Sequence, residues 1–159
     1  MSDTKPILFA TDGSPSAEGA QREAFELAQR LGAPLLVVSV AHPVVPAVGY
    51  AGYGYSNVVA ELTEGERHRV KKLLATVEAA ARAADVPCST VMGDGFVVEE
   101  ICRLAGEHDA QLIVVGSHGW SAARRLFSGS VSTGLVHSAP CPVLVVRGRE
   151  TAGEHAAAA

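Results

Sequence analysis

Apolar positions along this chain fall into two rhythms that take turns. Five short runs are almost continuously apolar: KPILFAT (5–11), APLLVVSV (33–40), VPCSTVM (86–92), AQLIVVG (110–116) and CPVLVVR (141–147). Such runs are expected of strands buried on both faces. The third is the least apolar, which suits a sheet edge. Between the runs, apolar residues recur at helical spacing. Ser14 reads as an N-cap with Pro15 at the first helical position. Ala17, Ala20, Ala24, Leu27, Ala28 and Leu31 then form a stripe that Gly32 and Pro34 end. A long helix is predicted over 58–84, with Leu62, Val70, Leu73, Val77, Ala80 and Ala84 inward and EGERHRVKK as a solvated face. Two shorter helices follow, over 97–108 (Val98, Ile101, Cys102, Ala105 inward) and 129–138 (Val131, Leu135, Val136).

This alternation implies right-handed crossovers and one doubly wound, five-stranded parallel sheet with helices on both faces. No repeat or linker interrupts it. The reading is one α/β domain over residues 3–148, a Pro/Gly/Tyr-rich loop at 41–57 and a flexible tail at 149–159. In open sheets of this kind, ligands bind beyond the C-terminal strand ends, where the crossovers switch faces. That directs attention to TDGS after the first strand and GSHG after the fourth.

Composition narrows the possibilities. The formal charge of −4 argues against a general nucleic-acid binder, because neutralising phosphates needs a basic surface. Aromatics, at 5%, are too few for stacking platforms. No apolar run is long enough to span a bilayer, and no secretory leader is expected. Cys88, Cys102 and Cys141 are scattered, as small apolar residues in a reducing compartment would be, so the expected location is the cytoplasm. The histidines and cysteines show no metal-ligand spacing.

The stretch VGSHGWSAARRLFSGSVSTG (115–134) carries the candidate chemistry. A strand that runs into glycines and then a helix start is a phosphate-binding arrangement. Bare backbone approaches the anion, and unpaired amides point at it. Ser130, Ser132 and Thr133 add hydroxyls. The stretch matches neither the lysine-containing phosphate loop nor the dinucleotide fingerprint. His118 lies between two glycines, where its ring can face solvent or a phosphate; with no orienting carboxylate nearby in sequence, it is not read as a base. Arg124 and Arg125 fit a phosphate contact and a solvated face equally well. Trp120 and Phe127 read as loop anchors; Tyr50, Tyr53 and Tyr55 fit an exposed loop, a lid over a ligand pocket or packing against a partner subunit. Asp12 fits two roles, a cap on the first helix or a ligand contact.

The spacing Gly116-x2-Gly119-x9-Gly129-Ser130, with ILFATDGS near the start and PCPVLVVR near the end, resembles the nucleotide-binding branch of the universal stress protein family. The resemblance implies a flavodoxin-like strand order 3-2-1-4-5 and bound ATP, with Mg²⁺ carried on its phosphates. It implies that Asp12 contacts the ribose side while Ala10 and Thr11 line the adjacent wall. Val40 would pack on adenine, and Val115 and Gly116 would lie on the ribose–adenine side. Gly119 would turn the loop; Gly129, Ser130, Val131 and Ser132 would meet phosphates, with His118 carried as a further candidate. The last strand, at 142–147, would leave an apolar edge that a second copy pairs with, giving a two-fold homodimer.

Three functions compete on this basis. The first is a nucleotide-dependent regulatory or stress-response module without dedicated catalysis. The second is a slow ATPase or phosphotransferase using Ser117, His118 or Ser128. The third is a nucleotide-free, chaperone-like dimer.

Overall fold

A computed structural model describes residues 4–42, 55–117 and 130–147. Elements alternate along them as β1 (Ile7–Ala10), α1 (Pro15–Leu31), β2 (Leu35–Ala41), α2 (Tyr55–Ala83), β3 (Cys88–Asp94), α3 (Val97–Glu107), β4 (Leu112–Gly116), α4 (Ser130–Ser138) and β5 (Val143–Val146). The five strands form one parallel sheet in the order β3-β2-β1-β4-β5. The least apolar run, β3, is indeed at an edge, and β5 closes the other side.

Strand register shapes the C-terminal rim of the sheet. Ala10, the last residue of β1, lies opposite Val38 and Val115. β2 continues through Ser39, Val40 and Ala41, paired with Met92, Gly93 and Asp94 of β3. The centre of the rim is therefore recessed three residues below β2, about 10 Å at the usual strand rise.

Side-chain alternation divides the core into two layers. On one face Ile7, Phe9, Leu35, Val37 and Val114 meet Ala20, Ala24 and Ala28 of α1 and Val70, Leu74, Val77 and Ala81 of α2. The alanine face of α1 brings helix backbone close to the sheet. On the other face Leu8, Leu36, Val38 and Ile113 meet Ile101, Leu104 and Ala105 of α3 and Leu135 of α4.

Three residues expected inside are exposed. Leu31 and Leu62 belong to the outer turns of α1 and α2, helices longer than the strands they cover. The 29-residue α2 spans about 43 Å against about 23 Å for β2, so its first turns overhang the sheet. Val70 and Val77 are buried as expected, while Leu74 and Ala81 are buried in place of their neighbours Leu73 and Ala80, which are half-buried. Val136 points off the narrow face that α4 buries through Leu135.

Candidate functional site

The face switch falls between β1 and β4. From β1 the chain crosses by α1 on one face to β2; β4 is reached from α3 and left through α4, both on the other face. The rim at this point is built from the β1–α1 turn, the end of β4 and the start of α4.

The β1–α1 turn is held by its own side chains. The Thr11 amide extends the ladder to the Val38 carbonyl at 3.0 Å. Thr11 Oγ1 accepts the Gly13 amide at 3.1 Å, and Asp12 Oδ1 accepts the Ser14 amide at 2.9 Å. These are short-range turns of the kind Thr and Asp favour. Gly13 has φ +75°, in the left-handed region, and a Cβ there would meet Leu73 of α2 at 3.0 Å. Ser14 occupies the N-cap of α1, with Pro15 following, as its sequence implied. Its hydroxyl, however, bonds the Ser16 hydroxyl at 3.0 Å and not a helix amide. Asp12 thus performs a local structural role with one carboxylate oxygen while standing at the rim.

At the end of β4, Gly116 packs closely against α1. A Cβ would lie 3.2 Å from the Ser16 carbonyl oxygen at the start of α1. The helix backbone lies closer here than most Cβ atoms find their neighbours, so a side chain would have to push it back by a few tenths of an ångström. Ser117 continues the strand pairing through its amide, 2.9 Å from the Val146 carbonyl, and is buried.

Ala10, Val40 and Val115 all join the α3/α4-side core layer, each nearly buried. In α4, Ser130 is exposed at the first position and Val131 is half-buried. Ser132 is buried. His118, Gly119 and Gly129, together with Trp120, Arg124, Arg125, Phe127, Tyr50, Tyr53 and the tail, lie outside the described residues. Among the described residues no group of three or more His, Cys, Asp or Glu side chains is placed to hold a metal ion. No described helix is long and apolar enough to cross a membrane.

A second element reaches the rim unannounced. Arg69 of α2 donates through Nε and Nη2 to Glu66 at 2.9 and 2.8 Å, and through Nη1 to the Asp12 carbonyl at 3.4 Å. Glu66 also accepts the backbone amide of His42, just after β2. The Arg69 bond first, with His42 assisting, lowers the Glu66 carboxyl below its ordinary value. Arg69 is held in its cationic form by Glu66 and, through space, by Asp12. Asp12, Gly13, Arg69 and Leu73 line a hollow of about 440 Å³. The Glu66–Arg69 spacing suits an ion pair one helical turn apart. EGERHRVKK carried that spacing, but nothing local to it told which end of the sheet α2 would overlie.

Comparison with known proteins fits this architecture. The family model described as "Universal stress protein family" matches residues 3–147. The chain belongs to the universal stress protein family. A Staphylococcus aureus (strain USA300) relative that carries the universal stress protein name is 37% identical over 148 residues, covering 92% of this chain and 86% of that one. Among solved structures, universal stress protein UspA from Lactobacillus plantarum superposes with a TM-score of 0.78 at 27% identity, over 92% of this chain and 100% of that one. A universal stress protein solved in complex with cAMP aligns with a TM-score of 0.66 at 25% identity, over 92% of this chain and 99% of that one. The strand order of this universal stress protein domain is the one the family resemblance implied.

Proposed function

We propose that this chain binds an adenine nucleotide, ATP foremost, at the β1–β4 rim and acts as a nucleotide-dependent regulatory or stress-response module in the cytoplasm. The observation that carries the proposal is the juxtaposition of Ala10, Thr11 and Asp12 with Val115 and Gly116 at the point where crossovers change face. The similar protein that holds cAMP supports the ligand class. In this reading Asp12 meets the ribose and Val40 borders the base. The 116–132 stretch meets the phosphates through main-chain amides and Ser130. Mg²⁺ rides on those phosphates. Ligand occupancy favours one arrangement of the rim, which is sufficient for a switch. The homodimer would form through β5.

Mass spectrometry of the small molecule released on heat denaturation, followed by calorimetric titration with ATP and Mg²⁺, tests the proposal. Adenine nucleotide should be released, and Asp12→Asn should weaken ATP binding about tenfold, as expected for loss of a charged hydrogen bond. Protein that releases no nucleotide and shows no heat with millimolar ATP, ADP or cAMP would refute it. Gly116→Ala is unsuitable as a probe, because the added methyl would press on α1.

A further inference from the structure

One turn of α2 reaches the ends of three strands. Arg69 donates to the Asp12 carbonyl just past β1 at 3.4 Å, Glu66 accepts the His42 amide just past β2, and Arg67 pairs with Asp94, the last residue of β3, at 2.7 Å. Glu66 and Arg69 are joined by two hydrogen bonds of their own, so the ties to β1 and β2 form one unit. The turn lies across the rim as a clasp, and the helix overhangs beyond it toward Tyr55. No described side chain from Asn57 to Arg69 is buried. Apolar packing therefore does little to hold this half of α2, and polar ties count for more. The Asp12 contact is longer than the usual distance of about 2.9 Å, so a small movement of the turn tightens or breaks it. It runs through the peptide carbonyl and leaves the Asp12 carboxylate to other partners, the Ser14 amide among them.

We propose that residues 66–69 couple the nucleotide site to the overhang of α2: occupancy at the Asp12 turn passes through Arg69 and Glu66 and holds the first half of the helix against the rim. This rests on the reading that Asp12 meets the ribose of an adenine nucleotide. Arg69 acts through the Asp12 carbonyl and is a positioning residue. A ligand shifts an equilibrium only by the difference in its contacts with two states. Here the states are the clasp closed and the clasp open. Nucleotide favours the closed one, because a ligand held at the turn fixes the Asp12 carbonyl toward Arg69. The regulatory module thereby gains an output, a helix end that is docked when nucleotide is bound and frays when it is not.

Hydrogen exchange on the full chain, with and without ATP and Mg²⁺, tests the coupling, each protein being saturated as judged by calorimetry. In the wild type, nucleotide should slow exchange of the amides of residues 59–66 about fivefold, the lower end of ordinary coupling between sites. Arg69→Gln should exchange faster there in both states, with the nucleotide-dependent ratio reduced to about one. Arg67→Gln cuts the tie to β3 and leaves the link to Asp12. It should also exchange faster, yet keep the wild-type ratio. A merely structural role for Arg69 would raise both rates and likewise keep the ratio. Glu66→Gln weakens the hold on Arg69 and should give an intermediate ratio; it decides the matter where Arg69→Gln fails to fold or to saturate. A wild-type ratio in that deciding variant, or a ratio of one in saturated wild type, would overturn the coupling alone. Failure of every adenine nucleotide to bind the wild type would overturn the nucleotide reading itself, and this inference with it.

Discussion

Glu66 and Glu100 occupy similar positions at opposite sides of the rim. Each carboxylate takes an arginine on its own helix and a backbone amide from the end of a strand: Arg69 and His42 for Glu66, Arg103 and Asp94 for Glu100. Glu100 also fills the space left by Gly93, where a Cβ would lie 2.5 Å from its Cγ. In both, the arginine bond is the main cause of a pKa below the ordinary 4.5. A carboxyl with a depressed folded pKa stabilises the protein above its unfolded pKa, and that contribution fades as pH falls through the folded value. Stability should therefore be level near neutrality and decline below about pH 4.5. Urea titrations at a series of pH values should show a shallower acid decline for Glu66→Gln and Glu100→Gln than for the wild type. Parallel acid limbs would show that neither carboxyl is linked to folding. The thiols of Cys88, Cys102 and Cys141 are pushed up by burial, as expected of residues used for packing.

At the scale of elements, helix ends distinguish two kinds of left-handed residue. Asp85, just past α2, has φ 55°, with the Val86 amide closing on the Ala81 carbonyl at 2.9 Å. Glycine is the usual occupant of this terminating position. Asp85→Gly should raise stability by about 1 kcal/mol, by relieving the Cβ clash of that conformation. Gly13, also left-handed, should respond in the opposite sense. Gly13→Ala adds the same strain plus contact with Leu73, and should cost about 1–2 kcal/mol. Thermal unfolding of the pair reads both signs. Much of this level was legible in the sequence. The five apolar runs located the strands, and Ser14, Pro15 and Gly32 marked the ends of α1 correctly, because propensity and burial agree there. Val70 and Val77 of the α2 stripe were placed correctly, but Leu74 and Ala81 are buried where Leu73 and Ala80 were expected, because the described residues of the helix's charged first half are not buried and do not set the phase. At the rim, Asp12 was visible from its place after a buried strand. Arg69 and Leu73 were not, because their proximity to Asp12 depends on how α2 crosses the molecule.

For the molecule as a whole, the two edges of the sheet differ. β3 carries serine, threonine and an ion pair, Asp94 with Arg67 at 2.7 Å. β5 is VLVV with its residues half-buried, an apolar edge of the kind that invites pairing. The homodimer proposed here places that edge against its copy. Light scattering coupled to size exclusion should give twice the chain mass at micromolar concentration, and hydrogen exchange should protect β5 amides that face away from β4. A monomer at all concentrations would exclude this assembly. The recess at the centre of the rim has a further consequence. Its depth is fixed by where β1 stops relative to β2, a matter of residue count and not of residue type. Substitutions can retune what lines such a niche, but only an insertion or deletion in either strand would make it shallower or deeper. Length, more than chemistry, sets how deep that niche is.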